Sequence, residues 1–405
     1  MERYWDLSAT CGDGRPLGAY EEELIALLED AVRLRLISDV PLGAFLSGGL
    51  DSSVIAALMQ RSGSRWTETF SIGFEGEADE SAAAWAAAQA LGTRHHLRRV
   101  SALDLEALPT ALWHLDEPIA DPAILPTFAL ARFAKRRVTV ALTGEGADEL
   151  FGGYAKYRHD AWVRLYRRLP EGMRRRFLDR LLPRLVSGGH NNHRLFLLDD
   201  ATRRRAWDEV ALPRQKAAFY GPALSDALRN PEGRTTPLTR EARDLDAVTA
   251  MLLADVKTSL ADDLLMKVDK MTMAHALEAR TPYLDYRVVE FAFRVPARLK
   301  LSLLGNKRLL RRIARRWLPA AITARPKQGF SVPIAAWFRG EAGEQLATLL
   351  RAATHDWIKP EGVRALLGEH RRGIADRSRQ LWAVLCFELW HRLMIDGTPP
   401  HPLSD

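Results

Sequence analysis

A chain of 405 residues, 47% hydrophobic and 27% charged, can form one large or two ordinary globular domains, and it has no run of about twenty apolar residues to cross a bilayer. Two cysteines, Cys11 and Cys386, are too few for a disulfide framework or a four-ligand zinc site, and the N-terminus MERYWDLSAT has no apolar signal core. The formal net charge of +7 rests mostly on arginine; without a zinc-finger, RRM or KH signature it points to solvated helix faces or a polyphosphate substrate, not to nucleic acid.

Residues 1–19 read as an entry segment, with turns at Gly12, Gly14, Pro16 and Gly18. Over 20–37, Leu24, Leu27, Leu28, Ala31 and Leu34 recur at helical spacing. Residues 40–46 are short and apolar, as a buried parallel strand would be, and the turn SGGLDSS (47–53) leads into a helix beginning at Asp51 or Ser52. TETFSIGF (67–74) predicts a second strand, and 79–91 an alanine-rich helix ended by Gly92. TRHHLRRV (93–100) predicts a third strand, in which His95 and His96 are strand residues, not ligands. A helix follows over 123–136, then a fourth strand, VTVAL (138–142), and a second glycine-rich turn, TGEGADELFGGY (143–154).

The character then changes. Arg-rich helical segments over 161–245, broken by Pro170, Pro183, SGGHNNH (187–193) and Pro213, predict a helical insertion. A strong helical pattern returns over 246–275, where Asp262 and Asp263 are expected to cap a helix. In NKRLLRRIARRWL (306–318), Leu309, Leu310, Ile313 and Trp317 share one face; the basic face opposite reads as solvated. The expected organisation is a nucleotide-binding core at 20–160, the insertion, further active-site elements over 246–340 and a helical tail over 341–405.

Strands alternating with helices predict an α/β fold with a doubly wound parallel sheet. Ligands in such sheets sit beyond the carboxyl ends of strands, so the two glycine turns should share one crevice. SGGLDSS lacks the G-x-x-x-x-G-K-[ST] pattern of Walker ATPases. Its hydroxyls and bare amides at a helix N-terminus suit pyrophosphate, but Asp51 would repel phosphate unless a cation stood between them. Mg²⁺, which takes carboxylate and phosphate oxygens together, meets that need.

SGGLDSS resembles the pyrophosphate loop of the adenine-nucleotide α-hydrolase-like enzymes, which cleave ATP to AMP and pyrophosphate. TGEGADELFGGY, LADDLLMKVDKMTMAHALEARTPYLD (260–285) and RPKQGF (325–330) resemble the synthetase domain of glutamine-dependent asparagine synthetases. YWDL (4–7) is similar to the segment where that domain begins. The resemblance implies that Leu46, Ile72, Thr143 and Gly144 line the adenine and ribose. It implies pyrophosphate contacts for Ser47, Gly48, Gly49, Asp51 and Ser52, and Mg²⁺ ligation by Asp51 and Asp148. Glu145 matches the acid associated with forming an acyl-adenylate, with helix capping as its alternative. Lys327 matches the lysine near the α-phosphate. Tyr154 and Glu278 resemble a pair that deprotonates an amine in cyclising relatives, with a structural role as the alternative.

What these matches imply is an ATP-dependent amide-forming ligase, most simply making asparagine from aspartate and ammonia. The alternatives are an amide-bond cyclase of the β-lactam-synthetase or lasso-peptide-cyclase type, and a non-catalytic nucleotide-binding domain. Glutamine-dependent members begin with a nucleophile domain whose cysteine follows the initiator methionine; this chain has Glu2 there. It is therefore expected to use free ammonia or a separate or missing glutaminase. A cytoplasmic setting is expected, membrane association is not, and a homodimer stays open.

Overall fold

The computed structural model describes residues 2, 4–9, 12, 14–63, 67–74, 80–100, 102–173, 210–211, 213–224, 244–326, 332–340, 343–344, 347–349 and 356–400. Cys11, Lys327 and most of the expected insertion lie outside them. The chain divides into two compact units, one built from Met1–Tyr154, Leu238–Pro333 and Leu389–Asp405, the other from Ala155–Pro237 and Ile334–Glu388.

In the first unit, α1 (Leu17–Arg35) buries Tyr20, Leu24, Leu28, Ala31 and Val32; of the stripe expected from its spacing, Leu27 is half-buried and Leu34 is exposed. The alternation that follows is β1 (Leu42–Phe45), α2 (Leu50–Arg61), β2 (Glu68–Phe74), α3 (Ser81–Leu91) and β3 (Arg94–Val100). Gly92 ends α3 in the left-handed conformation, the C-cap expected of it. Then come α4 (Leu108–Leu115), α5 (Ile124–Ala134), β4 (Val140–Leu142) and the short α6 (Ala147–Phe151). The five-stranded sheet is wholly parallel, in the order β3-β2-β1-β4-β5, where β5 is Glu278–Arg280. The chain thus lays β2 and β3 to one side of β1, then returns to lay β4 and β5 on the other. The topological switch point falls between β1 and β4, and both glycine turns leave the sheet there.

The sheet is held by apolar burial. Phe70, Ile72 and Phe74 of β2 and Val100 of β3 pack with Ala129, Leu130, Ala131 and Ala134 of α5. Each large side chain buried there contributes about 1.5–3 kcal/mol relative to exposure.

Three local features differ from the sequence reading. β5 is unanticipated: three residues are too few to show alternation, and its place comes from pairing with β4. The helical stretch over 246–275 is composite. A π-helix at Val256–Leu265 separates α7 (Ala247–Asp255) from α8 (Met266–Met273). Asp262 and Asp263 therefore lie inside a π-helix and do not cap one; the α7 cap is Asp246, whose carboxylate accepts from the Val248 and Thr249 amides. The basic stretch 306–318 is shorter than its pattern, with α9 spanning Arg308–Ala314.

In the second unit, Ala155–Arg167 buries Tyr157, Asp160, Val163 and Tyr166. Pro213–Phe219 packs on Pro360–Arg371, and Tyr220 bridges antiparallel to Ile358. The buried His370 bonds through Nε2 to the Ala335 carbonyl at 2.9 Å. The sequence reading treats insertion and tail as separate pieces; in the structure Ala155–Pro237 and Ile334–Glu388 form a single unit. Among the described residues no helix is long and apolar enough to cross a membrane.

Candidate active site

The turn after β1 is tied to itself. The Ser47 amide donates to Ser52 Oγ at 3.2 Å, the two serine hydroxyls lie 3.1 Å apart, and the Gly49 amide donates to Ser47 Oγ at 3.3 Å. Gly49 caps α2 without any side-chain acceptor, so the first amides of that helix are open to a ligand at its positive end. Gly48 is required by the backbone. Its φ is +73°, and a Cβ there would stand 2.4 Å from the Ala83 carbonyl carbon of α3. The turn can pass that close to α3 only with glycine.

The turn after β4 brings a second acid. The Thr143 amide donates to the Arg280 carbonyl of β5 at 2.8 Å, and the Thr143 hydroxyl accepts from the Glu145 amide at 3.4 Å. α6 then buries Asp148 and Glu149. Between the two turns stands Lys307, 2% exposed, whose Nζ is 2.5 Å from Asp51 Oδ2 and 2.6 Å from Asp148 Oδ1. Lys307 reaches this position because it precedes α9 in a left-handed conformation, φ +49°, unusual for a side chain of its size. Gly153 leaves room for the contact: a Cβ there would fall 1.7 Å from Asp148 Oδ1 and 2.2 Å from Lys307 Cε. The buried Tyr283 hydroxyl donates to the Asp51 carbonyl at 3.3 Å.

A cleft of about 220 Å³ opens over these turns. Leu46, Phe70, Ile72, Leu130 and Val268 make an apolar wall, while Ser47, Gly49, Asp51 and Ser52 line its phosphate-like end with Thr143, Gly144, Glu145 and Asp148. Four cations also face it: Lys267, Lys307, Arg311 and Arg325. Arg311 fastens the segment leading into RPKQGF, donating to the carbonyls of Thr323 at 2.5 Å and Arg325 at 2.9 Å. An apolar slot ending in mixed charge suits a ligand with a flat apolar base and a polyanionic tail.

Burial, and then the Asp148 charge, lift the Glu149 carboxyl to about 7; its Oε1 accepts from the Tyr154 hydroxyl. Burial and the Glu149 charge push the Tyr154 phenol well above its ordinary value. On the other side of the cleft, Lys267 is ion-paired with Asp121. Burial opposes its charge, yet Asp121, Glu145 and Asp263 together outweigh it and raise its pKa.

The donor set fits Mg²⁺. Asp51 Oδ1 is buried and has no hydrogen-bond partner among the described residues, and Asp148 faces the same ammonium from the second turn. These are hard oxygen donors of the kind Mg²⁺ shares with phosphates. Among the described residues no group of three or more His, Cys, Asp or Glu could hold a metal alone, so an ion between Asp51 and Asp148 would depend on substrate oxygens.

Of the residues singled out from the sequence, Leu46, Ser47, Gly49, Asp51, Ser52, Ile72, Thr143, Gly144, Glu145 and Asp148 thus line one cleft. Gly48 supports it from behind, where its carbonyl accepts from Arg325 at 3.4 Å. Tyr154 bonds Glu149, and the exposed Glu278 pairs with Arg280 at 2.7 Å. The sequence reading passed over Lys307, Arg311 and Lys267. The first two sit in the stretch taken as a solvated stripe, where the single lysine among arginines was the available signal.

The chain is similar to known proteins along most of its length. The family model for asparagine synthase matches residues 23–392. A Mycobacterium tuberculosis protein provisionally named a glutamine-hydrolyzing asparagine synthetase is 40% identical over 398 residues, covering 95% of this chain and 59% of its own. Asparagine synthetase [glutamine-hydrolyzing] 1 of Bacillus subtilis is 35% identical over 94% of this chain and 61% of its own. Amidase chyE of Penicillium rubens is 30% identical over 76% of this chain and 51% of its own. The chain therefore spans about three-fifths of the length of the first two. With a family match over nearly its whole length, the chain belongs to the asparagine synthase family.

Proposed function

We propose that the chain is an ATP-dependent ligase that adenylates a carboxylate, most simply that of aspartate, and passes ammonia to it, releasing asparagine, AMP and pyrophosphate. The observation that carries this reading is the meeting of Asp51 and Asp148, from two turns at the switch point, across the single Lys307 ammonium inside the cleft. A carboxylate is a poor electrophile. In the proposed reaction its oxygen attacks the α-phosphorus of ATP and pyrophosphate leaves; ammonia then attacks the acyl carbon and AMP leaves with the bonding pair.

The residues divide this work. Leu46 and Ile72 bracket the base, and the Ser47–Ser52 turn with the α2 amides holds the departing pyrophosphate. Lys307 supplies fixed positive charge to the oxygens on which negative charge grows. A Mg²⁺ held by Asp51 and Asp148 would neutralise further charge there. By their resemblance to the family's motifs, Lys327 is proposed to act near the α-phosphate and Glu145 in acyl-adenylate formation. The amine comes from free ammonia or from a glutaminase, in a separate protein or in a domain joined to this one; several relatives are named for glutamine hydrolysis. The cytoplasm, where ATP and Mg²⁺ are plentiful, is the proposed setting, and a homodimer belongs to the same proposal.

The cyclase alternative has no specific observation in its favour, since Tyr154 bonds Glu149 and Glu278 pairs with Arg280. The test is pyrophosphate release from ATP and Mg²⁺ with aspartate, with and without ammonium, and the product weighed by mass spectrometry. Asparagine formation would sustain the reading. Pyrophosphate release with no carboxylate tried would end it.

A further inference from the structure

The residue before Lys307 is held from two sides. Asn306 Nδ2 donates to the Gly153 carbonyl at 2.7 Å, which ties Asn306 to the turn that follows Asp148. Arg311, one turn into α9, holds the other side. Its Nε donates to the Asn306 carbonyl at 3.1 Å, and one terminal nitrogen donates to Asn306 Oδ1 at 3.0 Å. The second terminal nitrogen donates to the Thr323 and Arg325 carbonyls. Arg325 in turn donates to the Gly48 carbonyl behind the first turn. Four of the five guanidinium N–H groups of Arg311 are thus directed at oxygens of this chain. None of these acceptors is a carboxylate, so the arrangement is a clamp and not an ion pair. The Arg311 amide also donates to the Lys307 carbonyl at 2.7 Å, closing the first turn of α9 on the strained residue. A left-handed lysine is unfavourable by itself and persists where its surroundings over-determine it.

We propose that Arg311 is a positioning residue for the phosphate end of the cleft, clamping Asn306 to the 323–325 segment so that Lys307 is set against Asp51 and Asp148. The inference rests on the nucleotide-site part of the ligase reading, not on its acid or its amine. Charge fixed in this way acts on the departing pyrophosphate without reorganising at the moment of reaction. Arg311→Lys would keep the charge and lose the clamp. An ammonium is a compact point charge and does not span acceptors on Asn306, Thr323 and Arg325, whereas a planar fork does.

The test is calorimetric titration of inorganic pyrophosphate with Mg²⁺, and of adenosine, into the parent protein and its variants. Arg311→Lys should weaken pyrophosphate about tenfold, about 1.4 kcal/mol, and leave adenosine within about twofold, which also shows that the variant folds. The effect passes through Asn306 and Lys307. Made on Asn306→Ala or on Lys307→Met, the same substitution should therefore weaken pyrophosphate by less than about threefold. Two backgrounds are used so that misfolding of one leaves the other. A merely structural Arg311 would weaken both ligands and add fully in each background. Near-parent pyrophosphate affinity in Arg311→Lys would overturn the proposal, as would an equal loss of adenosine, a loss undiminished in any folded background, or a parent protein that binds no pyrophosphate. Coupling of the expected kind in a protein that releases no pyrophosphate from ATP with any carboxylate would uphold the clamp and sink the ligase reading. Release by the parent protein together with full additivity would do the reverse.

Discussion

Two clusters in the first unit have the same composition, two aspartates and a lysine, and are wired differently. In one, Lys307 touches Asp51 and Asp148 at nearly equal distances. In the other, Lys267 among the described residues touches Asp121 alone, and Asp263 acts on it through space. The first is a closed bridge across two turns of the sheet, and its free capacity is the unbonded Asp51 Oδ1. The second is open on the Asp263 side. A closed bridge with a spare hard oxygen suits a divalent ion arriving with phosphates. The open pair leaves Asp263 Oδ1 buried and without a hydrogen-bond partner among the described residues. Identical residue types acquire different surroundings from which contacts the fold completes.

The strongest way to break this comparison is to remove an acid from the bridge. Asp51→Ala and Asp148→Ala should each reduce pyrophosphate release by at least about 10³-fold, the upper range for losing one preorganised electrostatic contact, with the fold intact by circular dichroism. Near-normal rates in either would separate the bridge from the chemistry. Lys307→Met should come next. It leaves two buried carboxylates side by side without a counter-charge, at a cost of about 3–5 kcal/mol in denaturant unfolding. Millimolar Mg²⁺ should restore part of that loss in the variant, and no Mg²⁺ effect would argue against an ion site between the acids.

Glu149 sharpens the picture through pH. Its native pKa, about 7, lies above the ordinary carboxyl value, so across pH 4.5–7 the native state holds a proton that the unfolded chain has released. Stability contributed by this group is therefore present below that window and falls as pH rises through it, by up to about 3 kcal/mol. Glu149→Gln should flatten this slope in unfolding measured between pH 4.5 and 7; an unaltered slope would mean the carboxyl is already ionised. The smallest effect belongs to Glu278→Gln. An exposed residue paired, among the described residues, only with Arg280 should change the rate by less than about threefold, about 0.7 kcal/mol. A large loss would revive its role in amine deprotonation.

Much of the first cluster was readable from the sequence, because its parts are local. A strand, two glycines, hydroxyls and an acid within SGGLDSS describe a turn without reference to the rest of the chain, and the same holds for TGEGADELFGGY. Four strands and the helices between them follow from periodicity and a glycine stop. Lys307 was hidden because its partnership with Asp51 spans 256 residues and depends on a left-handed backbone that no lysine advertises. β5 was hidden because a strand of three residues exists only through its neighbour. Asp263 was misassigned because a π-helix and an α-helix share a hydrophobic pattern; one residue of extra width changes where the side chain points.

The alignment of β1 with β4 acts as a ruler for the whole site. Leu42 pairs with Val140, Gly43 with Ala141 and Ala44 with Leu142, and this register sets one glycine turn against the other. A slip of one residue would shift the second turn by about 3.3 Å and invert which side chains face each side. Lys307 could then no longer reach both acids. The tolerance of the site is thus the tolerance of three strand pairs, and substitutions that loosen β4 should degrade the reaction long before they unfold the protein.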